Sequence, residues 1–416
     1  LFFPRPRSSE GVANVLHQEN RITFIPELVI QGGKRPDFVL FLNGLPIITM
    51  ELKHEKNQNV HDAVSQYVGR DHSDRIFQLP FLHIAADTSD VQVATDPRTE
   101  KNFRWFNTGL SNQAATAGEY PVEFLYRQVL TKNSLLDAIA FDLVRAPRQA
   151  ATTDRPERPA HTIFPRYHQL QAVRQMVTAA GSEGVGHNYL VEHSAGSGKS
   201  NTIGWLAHRL SSLHNDKDER IFDSVVVITD RLVLDRQLQN TIYQFDHRQG
   251  VVQKIEEDSR QLAEALESGV PIIITTLQKF PFVSGQLMKP AEERGSGSTG
   301  SSHLPTRNYA VIIDEAHSSQ SGESATELKG VLGGAELIRK AREAAQEEGE
   351  AELERLFRSM AKRGRQPNMS FFAFTATPKD KTKDLFGTLG PDGNKHPFHV
   401  YSMRQAIAEG FILDVL

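Results

Sequence analysis

Residues 193–200 read His-Ser-Ala-Gly-Ser-Gly-Lys-Ser, and no other stretch constrains this chain as much. They follow an apolar run at 189–191 and precede a segment whose pattern predicts a helix from about Ser200. The pattern is GxxxxGK[ST] with His193 in place of the first glycine. Gly196 and Gly198 allow backbone N–H groups to turn inward. With Ser194, Ala195 and Ser197 they form a cradle for phosphate oxygens. Lys199 brings a positive charge to the β- and γ-phosphates of a nucleotide, and the Ser200 hydroxyl can ligate Mg²⁺. A chance Gly/Ser-rich turn is the bland alternative, and the strand before and helix after argue against it. Such a loop works at the edge of a sheet. The apolar runs at 224–229, 271–275, 309–313 and 370–374, rich in Val, Ile and Phe, read as buried parallel strands alternating with helices. The fold expected from residue 161 onward is a doubly wound parallel sheet.

Asp314-Glu315-Ala316-His317 closes the run at 309–313 and sets two carboxylates at the C-terminal end of a strand, where α/β sheets bind ligands. Asp314 is placed to hold Mg²⁺, directly or through water, and Glu315 to orient and polarise the attacking water. The order of motifs resembles the first RecA-like lobe of a superfamily 2 helicase. That resemblance implies ATP as ligand and an adenine contact from Gln169 in Arg166-Tyr167-His168-Gln169. It implies DNA-backbone contacts near Thr229-Asp230-Arg231 and Thr275-Thr276-Leu277-Gln278. It also implies coupling of hydrolysis to DNA binding through Thr375-Ala376-Thr377-Pro378. Each short motif alone reads equally well as a strand-end turn; their collinear order over 166–378 carries the resemblance.

Residues 1–145 read differently, as a mixed α/β unit. Strand-like runs at 38–41 and 46–52 flank the turn pair Asn43-Gly44, a helix begins near Asp62, and further strands are expected at 81–86 and 91–95. Alternation puts Glu51 and Lys53 on one face of a strand. The hairpin brings Asp37 beside them. Asp37 and Glu51 can bind hard divalent cations, Mg²⁺ above all. Lys53 can orient the attacking water or neutralise developing charge. This is the PD-(D/E)xK nuclease arrangement. A surface salt-bridge pair is the bland alternative, weakened because a Glu and a Lys on an otherwise apolar strand are costly unless used.

Together the two halves resemble the restriction (R, motor and endonuclease) subunit of type I restriction-modification enzymes. The residues that carry it are Phe41-Leu42-Asn43-Gly44-Leu45-Pro46 with Glu51-Leu52-Lys53, Asp314 through Gln320, and the closing stretch Tyr401 to Gly410. The resemblance implies ATP-driven translocation on double-stranded DNA coupled to Mg²⁺-dependent cleavage. It implies the modification and specificity subunits as partners, and a cytoplasmic location. It adds Gln66 as a catalytic residue from a QxxxY element; here Arg70 stands where the Tyr is expected, and Tyr67 follows Gln66 directly. Two other readings stay open: a non-cutting superfamily 2 motor, and a single-chain defence nuclease–helicase.

The domain plan expected is a nuclease domain at 1–145, a Pro- and Arg-rich linker at 146–160, the first lobe at 161–396, and the truncated start of a second lobe at 397–416. Within the lobe, 293–303 reads as a flexible loop and 335–363 as a charged helical insertion. Leu1 is not Met, and no second lobe with its arginine finger follows, so a fragment of a longer protein is expected. Charge is near balance, 47 Lys+Arg against 51 Asp+Glu, so DNA contact must come from local basic surfaces. The absence of cysteine excludes disulfides and thiolate-held metals. No run of apolar residues is long enough to span a membrane, and no repeat is seen.

Overall fold

The structure, a computed structural model, describes residues 2–4, 11–54, 56–146, 160–229, 238, 241–243, 251–255, 259–276, 307–314, 368–378 and 380–412. Residues 147–159 of the expected linker, Asp230-Arg231, Leu277-Gln278, Glu315 to Gln320, the loop at 293–303 and the helical stretch at 335–363 lie outside the described residues. The chain divides into two compact units, Leu1–Gln171 with Arg404–Leu416, and Ala172–Met403.

The first unit is built on a six-stranded mixed sheet, counted over the described residues, in the order β1 (Ile22–Pro26), β2 (Phe38–Leu42), β3 (Leu45–Leu52), β4 (Leu82–Ala86), β5 (Val91–Ala94) and β6 (Arg104–Trp105). All neighbours are antiparallel except β3 and β4. Asn43 and Gly44 turn β2 into β3 with φ of 51° and 86°, the left-handed pair that a two-residue hairpin requires. Helix α1 (Val12–Gln18) precedes the sheet, helix α2 (Val60–Val68) lies on one face of it, and helices α3 (Arg75–Gln78) and α4 (Lys132–Asp137) follow in the chain. A capping box starts α2: Asn59 Oδ1 accepts from His61 N at 2.9 Å, and Asp62 Oδ2 from Asn59 N at 2.8 Å. Val60, Ala63, Val64 and Tyr67, at helical spacing, bury against Val39, Ala85 and Phe103. The opposite face packs Leu40, Ile48, Met50 and Ile84 against Phe124 and Leu136. Each such fully buried side chain contributes about 1.5–3 kcal/mol.

This unit continues past the expected linker. Strand β7 (Val144–Ala146) pairs with β8 (His161–Ile163), and the Tyr167 ring packs 5.3 Å from Phe106 and 5.0 Å from Phe124. Residues 161–171, expected to open the motor lobe, therefore belong to the first unit, because their aromatic side chains fill its core.

The second unit carries a seven-stranded sheet, counted over the described residues, in which every pairing is parallel. Its strands are β9 (Asn188–His193), β10 (Ser224–Thr229), β11 (Val252–Lys254), β12 (Ile272–Thr276), β13 (Tyr309–Ile313), β14 (Met369–Thr375) and, after a small hairpin of β15 (Thr388–Leu389) with β16 (Lys395–His396), β17 (His399–Tyr401). The spatial order is β11-β12-β10-β13-β14-β9-β17. Within the stretch expected to begin a second lobe, His399–Tyr401 adds to this sheet beside β9, with Tyr401 opposite His193. The physical reason is burial: Tyr401 and His399 point into the unit while Val400 faces out.

Candidate active sites

The first site lies between β3 and α2. Pairing of Phe38 with Met50 sets Asp37 across from Glu51, and Asp37 Oδ2 accepts a 2.6 Å hydrogen bond from Leu52 N. Glu51 shares its strand face with Thr49 and Lys53, the face covered by α2. Gln66, on α2, bridges two of the expected residues: its Nε2 donates to Glu51 Oε2 at 2.8 Å, and its Oε1 accepts from Lys53 Nζ. Asp37, Glu51, Lys53 and Gln66 are thus brought together. The Glu51 side chain has 0% exposure. Burial, partly offset by Arg70 and reinforced by Asp37, pushes its pKa up to about 7.

Sequence reasoning left Arg70 without a role. The structure gives it one: Arg70 Nε donates to Glu51 Oε1 at 2.9 Å, and its Nη2 forms an ion pair with the same oxygen. The available signal was its place four residues after Gln66, just past the end of α2. Beneath Glu51 runs a buried polar chain that the sequence also hid. Thr49 Oγ1 lies 2.9 Å from Tyr67 Oη and 2.7 Å from His83 Nδ1, and Tyr67 Oη donates to the Ile84 carbonyl at 3.3 Å. Burial raises the Tyr67 phenol well above its ordinary value and drives the His83 imidazole down to about 3, so the ring is neutral.

The donor chemistry of Asp37 and Glu51 suits a hard cation. Among the described residues no three His, Cys, Asp or Glu side chains converge on one point. Any cation held by this pair would draw its other ligands from water or phosphate.

The second site lies at the carboxyl edge of the parallel sheet. Ser194–Ser200 leaves the end of β9 as a tight loop: Ser194 N donates to the Tyr401 carbonyl at 3.0 Å, and Ser197 N to the Ser194 carbonyl at 3.2 Å. Gly196 and Gly198 take φ of 75° and 77°, and Gly198 caps helix α6 (Lys199–Ser211). The loop fits a polyphosphate. Its glycines turn left-handed, the positive end of α6 faces it, and Ser194 Oγ is buried with no hydrogen-bond partner. Lys199 Nζ folds back toward the His193 carbonyl at 3.5 Å.

Because every strand runs the same way, this edge also gathers Thr229, Thr275, Asp314 and Thr375, all buried at strand ends. Asp314 N donates to the Ile228 carbonyl at 3.0 Å, which fixes the carboxylate just beyond β13. Glu315 lies outside the described residues. His193, the residue in place of the first loop glycine, is buried with Nε2 2.9 Å from His399 Nδ1; burial depresses His399 to about 4. Gln169 belongs to the first unit, where its Oε1 accepts from Arg166 N at 3.0 Å at the start of helix α5 (Tyr167–Glu183).

Comparison with known proteins gives two family matches: SWI2/SNF2 ATPase over residues 168–416, and type I restriction enzyme R protein N terminus over residues 14–102. The type I restriction enzyme HindI endonuclease subunit of Haemophilus influenzae is 26% identical over 422 residues, covering 95% of this chain and 34% of that protein. The SauMSSORF170P endonuclease subunit of Staphylococcus aureus is 22% identical, covering 91% of this chain and 34% of the relative. The chain thus spans about a third of the length of these curated relatives. A solved Vibrio vulnificus fragment, assigned to a type I restriction enzyme HsdR subunit, aligns over 94% of this chain and 54% of its own at 16% identity and a TM-score of 0.34.

Proposed function

The chain belongs to the type I restriction enzyme R proteins, with their N-terminal domain followed by a SWI2/SNF2 ATPase, and from that premise we propose that it couples ATP-driven movement on double-stranded DNA to phosphodiester cleavage. The first unit is read as a PD-(D/E)xK nuclease and the second as the first RecA-like lobe of a superfamily 2 motor. The observation that carries the proposal is the convergence of Asp37, Glu51, Lys53 and Gln66 on one strand–helix seam of a chain that also carries a phosphate-cradling loop.

At the first site Mg²⁺, when bound by Asp37 and Glu51, would supply an activated water and charge neutralisation. Lys53 adds a positive charge beside the scissile phosphate, and Gln66 holds the Lys53 and Glu51 heads in fixed relation. At the second site the amides of Ser194–Gly198 bind the phosphates, Lys199 stabilises charge on the γ-phosphoryl, Ser200 and Asp314 hold the nucleotide's Mg²⁺, and Glu315 orients water. Gln169 reads adenine. Partners in the full assembly are the modification and specificity subunits, and the setting is the cytoplasm.

One observation favours a second reading. Glu51 is buried in an ion pair with Arg70, as it would be in a first unit that grips DNA without cutting it. The deciding experiment is Mg²⁺-dependent cleavage by the R protein assembled with its partner subunits. Glu51→Ala and Lys53→Ala should abolish cutting with ATP hydrolysis intact. Lys199→Ala should lower ATP turnover on the order of 10²–10³-fold and stop cutting with it. Cleavage that survives Glu51→Ala would refute the nuclease assignment.

A further inference from the structure

Glu51 is the carboxylate most committed to the first site, yet its partner is a guanidinium. Both of its oxygens are engaged: Oε1 by Arg70 Nε at 2.9 Å and by Arg70 Nη2, Oε2 by Gln66 Nε2 at 2.8 Å. The side chains of Glu51 and Arg70 are 0% and 7% exposed. A Mg²⁺-like cation keeps several waters and takes one or two carboxylates plus phosphate oxygens. A carboxylate sealed from solvent and already facing a fixed positive charge cannot join that shell unless the guanidinium leaves.

The surroundings of Arg70 show how it could leave. Arg70 lies beyond the end of α2, after the Gly69 cap, so its side chain can swing without unwinding the helix. Its second anchor is the carbonyl of Arg35, two residues before Asp37, at 2.8 Å. The lock therefore spans the segment that leads into the other carboxylate. Its guanidinium also stands 5.8 Å from the centroid of the Phe77 ring. A phosphate offers the guanidinium fork two oxygens at once, whereas Glu51 presents it only Oε1, its Oε2 being held by Gln66.

The geometry points to Arg70 as a substrate-displaced lock on the metal centre. In the free protein Arg70 holds Glu51 in place of a cation; a DNA phosphate arriving at the site takes the guanidinium, and Glu51 is released to the metal. Metal and DNA then bind with positive cooperativity, and the free protein takes up the cation only weakly. This rests on reading Asp37 and Glu51 as the cation pair.

The test is Mn²⁺ binding by calorimetry and electron paramagnetic resonance, on wild type and Arg70→Gln, each with and without a short DNA duplex. Counted sites are those lost in Asp37→Asn. The wild type should bind Mn²⁺ weakly alone and at least about tenfold more tightly with duplex. Arg70→Gln should bind tightly alone, and duplex should add little. Equal Asp37-dependent affinity in wild type and Arg70→Gln without DNA would overturn the lock and leave the nuclease reading standing. Manganese binding indifferent to Asp37→Asn and Glu51→Gln in every form would overturn both. Should Arg70→Gln fail to fold by its thermal melt, Arg70→Lys decides. A single-point cation grips Glu51 less well, so it should raise duplex-free affinity above wild type; no rise overturns the lock.

Discussion

Glu51 and Arg70 gain less from their attraction than their separation suggests, since both charges have left water. A buried pair of this kind roughly breaks even against apolar packing, whereas deleting one partner strands the other and costs about 3–5 kcal/mol. Glu51→Ala should therefore lower the unfolding free energy of the first unit by that amount in urea titrations read by Trp105. Adding Arg70→Ala should return a large part of it. A double variant no more stable than the single would mean that the loss comes from packing and not from the stranded guanidinium. Thr49 poses a neighbouring case. Its hydroxyl is within hydrogen-bond reach of both Tyr67 Oη and His83 Nδ1. Thr49→Val keeps the shape and deprives two buried polar atoms of a partner, at about 1–3 kcal/mol for each atom left unsatisfied. A melting point unchanged by Thr49→Val would remove this chain from the list of features that hold β3, α2 and β4 together.

Strand β9, its loop and α6 act as one element, and Gly198 is the joint. At φ 77° a side chain meets left-handed strain of roughly 1–2 kcal/mol. Relief of that strain would turn the amides away from the phosphates. Gly198→Ala should weaken binding of a fluorescent ATP analogue at least about tenfold while the Trp205 environment at the core of α6 stays native. Unchanged nucleotide affinity would show that the loop amides do not form the cradle. This element was legible in the sequence because glycine spacing and the following Lys-Ser state its geometry directly. The central strands were legible for a related reason: Ser224–Thr229, buried along its whole length, has no polar alternation to mislead. The hairpin at Asn43-Gly44 is equally local. What the sequence concealed is long-range. Strand β17 is three residues whose outward Val400 blurs any period, and its partner His193 lies 206 residues away. Phe164, Tyr167 and Leu170 join the first unit's core, and nothing local in the sequence says which core they join. Arg70 reads only as a replacement for the expected Tyr of the QxxxY element, and only the fold puts the buried Glu51 carboxylate within its reach.

The whole molecule offers a way to watch its two units separately, because its two tryptophans divide between them: Trp105 on β6 and Trp205 on α6. Buried histidines make the units respond to acid, and they should respond unequally. His83 in the first unit and His399 in the second are neutral when folded, held near 3 and 4 by burial against an ordinary value of 6.5. Their contribution is complete above about pH 6.5 and is lost as pH falls below it, because the unfolded chain takes up protons that the folded chain refuses. By about pH 5 each loss is roughly 2 kcal/mol, about 1.5 pH units at 1.4 kcal/mol per unit. Glu51 works in the opposite sense. Its folded value near 7 stands above the ordinary 4.5, so the folded first unit binds a proton that the unfolded chain does not, and acid stabilises it by about 2–3 kcal/mol over the same interval. Asp90, also raised by burial, adds in that direction. In the first unit the two effects oppose each other. In the second, His399 loses stability in acid, and Asp392, held down to about 2 by Asn394 and His396, titrates only in stronger acid. Lowering the pH from about 7.5 to about 5 should therefore depress the melting transition reported by Trp205, in a Trp105→Phe background, and leave that of Trp105, in a Trp205→Phe background, nearly in place. His399→Gln should abolish most of the acid shift in the second unit, and Glu51→Gln should expose an acid shift in the first. Equal shifts of both transitions in the parent protein would mean that the ionisation of Glu51 and His83 does not set the acid stability of the unit that holds them.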